Sequence, residues 1–260
     1  MATMVTFHAH PDDECIVCGG VMRKAHDQGH RVVLVVATRG ELGEVPDGFL
    51  GDDEELWQRR VKETHEAAAI LGAGRVEFLG YTDSGMMGEP TNAAPGSFWT
   101  ADVEQAAGRL AAILREENAD VLTVYDDHGN YGHPDHIQVH RVGMRAAELA
   151  GTPRVYEATM NRDQIMRGRA EYADPDPQPD VDAPEVGEDF GTPEALLTTA
   201  VDVSAYVTYK RQAMRAHASQ IADESFFLAM PDEMFARAFG TEWFVRVGAP
   251  PGIAESDLFD

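Results

Sequence analysis

The 260-residue chain predicts an α/β fold, a Rossmann-like, doubly wound and mostly parallel sheet with a C-terminal α/β embellishment. Three observations predict it. Short apolar runs alternate with helix-length amphipathic stretches over roughly the first 160 residues. One run, Arg31 to Ala37 (RVVLVVA), is almost continuously apolar, as expected of a strand covered on both faces. Two turns rich in His and Asp directly follow such runs, where open parallel sheets gather their ligands.

Taken in order, Met4 to Ala9 reads as a strand and Cys15 to Gln28 as a helix ended by Gly29. Arg31 to Ala37 is the next strand. Leu56 to Leu71 follows as a helix, with Gly72 and Gly74 as stop signals. Val76 to Leu79 is a short strand, Asp102 to Glu117 an amphipathic helix and Val121 to Tyr125 a strand. Pro134 to Ala150 is helical, with Pro134 tolerated in its first turn. Arg154 to Ala158 completes the core. The segment from Ala173 to Gly191 holds four prolines among acidic residues and predicts a loop or lid. Beyond it, Thr198 to Val203 reads as a strand, Tyr206 to Gln220 and Asp232 to Phe239 as helices, and Glu242 to Val247 as a last strand. One domain over 1–260 is expected, with a core at 1–160, an acidic loop at 171–195 and the embellishment at 196–260.

Apolar residues make up 43% and charged residues 25% of the chain, which is the composition of a globular protein. Its formal charge of −24 repels phosphate backbones and anionic lipids, so neither nucleic acid nor a membrane is the expected partner. No apolar run approaches the roughly 18 residues of a membrane span. Met1-Ala2-Thr3-Met4 lacks the basic and apolar regions of a signal peptide, so a cytoplasmic protein is expected. Nothing in the composition excludes a homo-oligomer. Two cysteines, Cys15 and Cys18, do not make a disulfide framework.

The chemistry lies in two tetrads. His10-Pro11-Asp12-Asp13 follows the first strand, and His133-Pro134-Asp135-His136 follows the fourth. Either alone makes a turn whose Asp caps the next helix. Together, both behind strands of one parallel sheet, they face one crevice. Two imidazoles and one carboxylate, with an open fourth position, form a catalytic zinc shell. If Asp13 ligates, Asp12 is left free as a general base. Fe²⁺ or Co²⁺ also suits such a set.

Ala9-His10-Pro11-Asp12-Asp13-Glu14 together with His133-Pro134-Asp135-His136 resembles the LmbE-like (PIG-L) de-N-acetylase superfamily. The likeness continues in Thr38-Arg39-Gly40-Glu41, in Arg60 with Glu63, in Asp83-Ser84-Gly85-Met86, and in Lys210, Ala213 and His217-Ala218-Ser219-Gln220. Within it, Tyr131-Gly132-His133-Pro134-Asp135-His136 is most similar to the mycothiol-pathway deacetylase and amidase branch. The resemblance implies a zinc hydrolase that removes acyl groups from N-acylglucosaminides. It implies that His10, Asp13 and His136 bind zinc and that Asp12 is the base. His133 then donates a proton or stabilises the oxyanion, Asp135 orients it, and Tyr131 supports it. The expected small-molecule partner is an N-acyl amino sugar.

Arg60 is expected to meet a substrate hydroxyl or phosphate, or else to pair with Glu63 along its helix. Asp83 offers acceptors to sugar hydroxyls, or caps the turn before Gly85. His217 is expected to face the site from a late helix. His136 and His140 share a helix face, but the family pattern uses only the first; His8, His26, His30, His65 and His128 show no partner pattern. Cys15-Ile16-Val17-Cys18 has redox spacing, but it opens a helix and its middle residues are apolar. No G-x-G-x-x-G follows the first strand, which disfavours a dinucleotide. The other functional readings are a mycothiol conjugate amidase, a natural-product sugar deacetylase, a non-catalytic metal- or sugar-binding module and a thiol redox protein.

Overall fold

The computed structural model describes residues 1–171 and 190–260. Five strands run parallel, β1 (Thr3–His8), β2 (Arg31–Val36), β3 (Arg75–Phe78), β4 (Val121–Tyr125) and β5 (Arg154–Thr159). β6 (Thr199–Asp202) and β7 (Thr241–Arg246) complete the sheet, β7 pairing antiparallel with both β5 and β6. The order is β3-β2-β1-β4-β5-β7-β6. The winding therefore reverses between β1 and β4, and a crevice opens beyond their carboxyl ends.

Side-chain alternation divides the core between the two faces. Met4, Val32, Leu34 and Val36 point to one side. They meet residues of α2 (Gly19–Asp27), α3 (Leu56–Leu71), α8 (Val207–Ala216) and α9 (Asp232–Phe239), among them Met22, Leu71, Met214 and Phe235. Val5, Phe7, Val33 and Val35 point to the other, against Leu110 and Leu114 of α4 (Val103–Glu116) and Val139 and Val142 of α6 (Pro134–Ala150). Both faces are covered, which is why β2 carries apolar residues without a break. No described helix is long and apolar enough to cross a membrane.

The stretch expected as one helix from Cys15 to Gln28 is two. The short α1 (Asp13–Val17) stops at Cys18, where φ is −128° and ψ is 1°, and α2 starts afresh. The carboxylate of Glu242 on β7 accepts the N–H groups of Gly20 and Val21, both at 2.8 Å, and so satisfies the new helix start. Lys210 Nζ lies 2.6 Å from the same carboxylate. A Cβ on Gly20 would lie 2.5 Å from Val203 Cβ, so only glycine lets the C-terminal segment pass this close. The late helix is also shorter than expected. It ends at Ala216, because His217 leaves helical geometry (φ −87°, ψ 45°).

Two α-helices of the described residues lie outside the elements expected from the sequence, the single turn α5 (Gly129–Gly132) and α7 (Arg162–Glu171). Most of the acidic, proline-rich segment at 171–195 lies outside the described residues. Where the chain resumes, the Gly191 N–H bonds to the Asn130 carbonyl and the Thr192 N–H to the Met160 carbonyl.

Candidate active site

The two tetrads meet at the crevice. β1 ends at His8, and the chain turns through His10 to Asp13 into α1. β4 ends at Tyr125, and after α5 the chain reaches His133, the N-cap of α6. Pro134 at the first helical position fixes this entry. Ring nitrogens of His10, His133 and His136 lie within 4.8 Å of one another. Asp13 joins them, with Oδ2 3.5 Å from His10 Nδ1 and Oδ1 3.4 Å from His136 Nε2. His10 Nε2 lies 3.1 Å from Asp135 Oδ2 and 3.5 Å from Asp83 Oδ1. His140 is turned away, its Nδ1 3.0 Å from the Tyr125 carbonyl oxygen.

This donor set fits a divalent cation. Three carboxylates, those of Asp13, Asp83 and Asp135, crowd one imidazole in a largely buried space. The nearby guanidinium of Arg60 is spent on Asp12. Desolvated carboxylates at this density need a compensating charge, and imidazole and carboxylate are ligands that a metal of the zinc type prefers. The charges already couple strongly. Burial alone would lower the His10 imidazole, but its hydrogen bonds to Asp13, Asp135 and Asp83 hold it well above its ordinary value. Burial would raise the Asp13 carboxyl, yet the charge of His136 outweighs it and holds Asp13 well below. Asp83 is likewise held low against burial by the His10 imidazole.

Asp12 differs. Burial pushes its carboxyl up to about 6, against the opposing pull of Arg60. Its backbone is left-handed, with φ 99° and ψ −30° in a non-glycine residue. Its N–H donates to Glu14 Oε2 at 2.9 Å, its carbonyl accepts from Cys15, and its Oδ2 lies 3.2 Å from Arg60 Nη2. Arg60 is 3% exposed and also donates to the carbonyls of Gly40 and Pro11 at 2.8 and 2.6 Å. It does not pair with Glu63, whose carboxylate accepts from Ser219 N and Oγ instead.

His133 accepts the backbone N–H of Asp135 on Nδ1 at 3.1 Å. Its own proton is therefore on Nε2. Burial, with His10 and His136 adding to it, lowers this imidazole to about 4, so it is neutral. Asp135 thus serves His133 through its main chain. Its carboxylate is turned to His10 and to Ser84, which donates both its backbone N–H (2.9 Å) and its hydroxyl. Ser84 in turn sits beside Ser97 Oγ at 2.8 Å and accepts from Trp99 N at 2.9 Å. Tyr131, half exposed on α5, places its hydroxyl 3.4 Å from His136 Nε2.

Burial corrects the expectation for His217, and Asp83 takes the turn-capping alternative. His217 is fully buried and faces Glu14, not the crevice, with Nε2 to Oε1 at 2.6 Å. Asp83 is 6% exposed and its oxygens are engaged by Gly85 N and Leu42 N as well as approached by His10. The cysteines are free and buried; burial raises the Cys18 thiol to about 12 and Cys15 well above its ordinary value, which leaves no thiolate for redox work. Glu14 and Ser84 are the residues that sequence reasoning passed over. Both lay inside segments that carry the family likeness, Ala9 to Glu14 and Asp83 to Met86, but neither was given a role there.

A mostly parallel sheet whose switch point gathers histidines and carboxylates able to hold a divalent cation is the arrangement of a hydrolase site. The family model for PIG-L, described as GlcNAc-PI de-N-acetylase, matches residues 5–147, and both tetrads fall within that span. The chain belongs to the PIG-L family and is an enzyme that hydrolyses amide bonds. It is 42% identical to the 1D-myo-inositol 2-acetamido-2-deoxy-alpha-D-glucopyranoside deacetylase of Thermobifida fusca, over 98% of each chain. A protein of the same description from Thermomonospora curvata is 40% identical, over 96% of this chain and 92% of the relative. The fold is shared with the N,N'-diacetylchitobiose deacetylase of Pyrococcus horikoshii, at a TM-score of 0.60 and 24% identity over 94% of this chain and 83% of that one.

Proposed function

We propose that the protein is a zinc-dependent deacetylase that hydrolyses the acetamido group of an N-acetylglucosamine-type sugar, with an inositol glycoside of that sugar as the preferred substrate. The observation that carries the reading is the convergence of His10, Asp13 and His136 beside a neutral, Nε2-protonated His133, with Asp12 next to Asp13 in the chain. The names of the relatives support the sugar and its inositol aglycone.

His10, Asp13 and His136 would hold the cation. When bound, zinc supplies Lewis-acid polarisation of the amide carbonyl and acidifies the attacking water. Asp12 accepts a proton from that water as its oxygen adds to the carbonyl carbon. His133 donates its Nε2–H to the oxyanion that develops. The carbon–nitrogen bond then breaks, and Asp12 returns its proton to the departing amine. Acetate and a free amino sugar result. Because His133 Nδ1 is committed as an acceptor, its one proton serves as a hydrogen bond, which leaves delivery to Asp12.

Amine release from N-acetylglucosamine and from its inositol glycoside, using metal-stripped enzyme before and after zinc is restored, tests the reading. Release that returns with zinc and favours the glycoside is the expected result. No release from either at one zinc per chain would defeat it. Asp12→Ala is expected to keep its metal and lose turnover by about 10² to 10⁴-fold, the usual worth of a general base. Fe²⁺ or Co²⁺ in place of zinc is expected to restore activity, since a two-histidine, one-carboxylate site accepts either.

A further inference from the structure

Asp12 is held through its N–H, its carbonyl and one carboxylate oxygen, Oδ2. Its carboxylate meets Arg60, its carbonyl accepts the N–H and Sγ of Cys15, and its N–H donates to Glu14. A side chain beyond Cα makes its φ of 99° unfavourable, so the peptide would relax if released. The tie that prevents this is Glu14, fully buried, whose two oxygens do different things. Oε2 accepts the Asp12 N–H at 2.9 Å, and Oε1 accepts from His217 Nε2 at 2.6 Å. His217 is itself fully buried and lies 203 residues away in sequence, at the end of α8. Its other nitrogen, Nδ1, has no hydrogen-bond partner. The imidazole therefore makes one hydrogen bond, and that bond goes to Glu14.

We infer that Glu14 and His217 form a positioning pair that holds the Asp12 peptide in its left-handed conformation and so aims the catalytic carboxylate. The pair touches neither substrate nor metal. The inference rests on the reading of Asp12 as the base, and it adds residues that act through it. The same three residues, Glu14, Cys15 and His217, offer ligand atoms within 4.8 Å of one another. They do not make a second metal site, since Cys15 Sγ already donates to the Asp12 carbonyl and Glu14 is committed on both oxygens.

The unused Nδ1 suggests the test. A glutamine at 217 retains an N–H for Glu14, whereas a leucine of similar size removes the donor. His217→Leu is expected to lower kcat by about 30-fold, the scale of a small misplacement of a reacting group, with KM within about twofold and one zinc per chain. His217→Gln is expected to recover kcat to within about threefold of the parent enzyme on the same scale. Equal losses in both variants, or none in His217→Leu, would overturn the inference. A crystal structure of zinc-loaded His217→Leu gives a readout that needs no substrate: Asp12 should relax to negative φ while His10, Asp13 and His136 stay in place. An Asp12 that keeps its positive φ overturns the pair's role, whatever the activity assay says of the substrate. Should the leucine variant not fold, hydrogen exchange of the Asp12 amide in the unaltered protein decides, since an amide without protection would mean that Glu14 does not hold it.

Discussion

A histidine whose Nδ1 accepts a main-chain N–H has one proton to offer, and at His133 that proton lies on the side away from Asp135. Its value in catalysis is as a hydrogen-bond donor to negative charge that appears only in the transition state. His133→Ala is therefore expected to lower kcat by about 10² to 10³-fold while KM changes little, as read from steady-state amine release. Away from the site, Glu157 on β5 shows how burial acts on stability. Burial, with Asp126 and Asp127 adding to it and His128 opposing, raises its carboxyl to about 7, although His140 Nδ1 of α6 lies 3.4 Å away. The unfolded chain loses this proton near pH 4.5, so between pH 4.5 and 7 the folded state binds more protons and stability falls as pH rises. Glu157→Gln should raise the stability read from urea unfolding at pH 8 by about 1 to 2 kcal/mol after allowance for solvent screening, and leave it unchanged at pH 4. The six tetrad residues that gather at the crevice could be read from the chain because each sits within a few residues of a strand end. Arg60 could not. Its helical spacing pointed to Glu63, but its partner Asp12 lies 48 residues away and Glu63 finds Ser219 across 156.

Elements with a clear period and a clear stop were legible. The helix from Leu56 to Leu71 has the expected bounds, closed by Gly72 in the left-handed conformation. The break at Cys18 was not legible, because its cause is a carboxylate from β7, the last strand of the sheet. The helix α7 was missed because its charged sequence, RDQIMRGRAE, shows no continuous apolar stripe. Two predictions belong at this scale. The loop after β2 places Gly40 at φ 63°, where a Cβ would lie 2.2 Å from Arg60 Nη1. Gly40→Ala must therefore push the guanidinium away from Asp12. We expect a fall in kcat of at least about tenfold, with a stability cost limited to the roughly 1 to 2 kcal/mol of a left-handed alanine, as measured by kinetics and thermal melting side by side. Lys210 and Glu242 bind α8 to β7 and to the start of α2 through one buried contact. Lys210→Ala leaves that carboxylate without its counter-charge, and a loss of about 3 kcal/mol or more in urea unfolding is expected.

Across the whole molecule, β6 and β7 extend the same sheet that carries the site, and α8 and α9 share a core with α2 and α3. The C-terminal α/β embellishment thus extends the main sheet and shares its core, and nothing in a local pattern tells which sheet a late strand will join. We expect one cooperative unfolding transition, with tryptophan fluorescence and far-ultraviolet circular dichroism coinciding; separate midpoints would divide the chain into two units. The bond between Glu14 and His217 carries this dependence into synthesis. A growing chain that has reached Ala216 already contains all the residues that would hold the cation, the base and the oxyanion donor. It lacks the one imidazole that steadies the base. Because β7 and α8 belong to the same cooperative core, the cation site and the steadied base are expected to form together, only after β7 has been made.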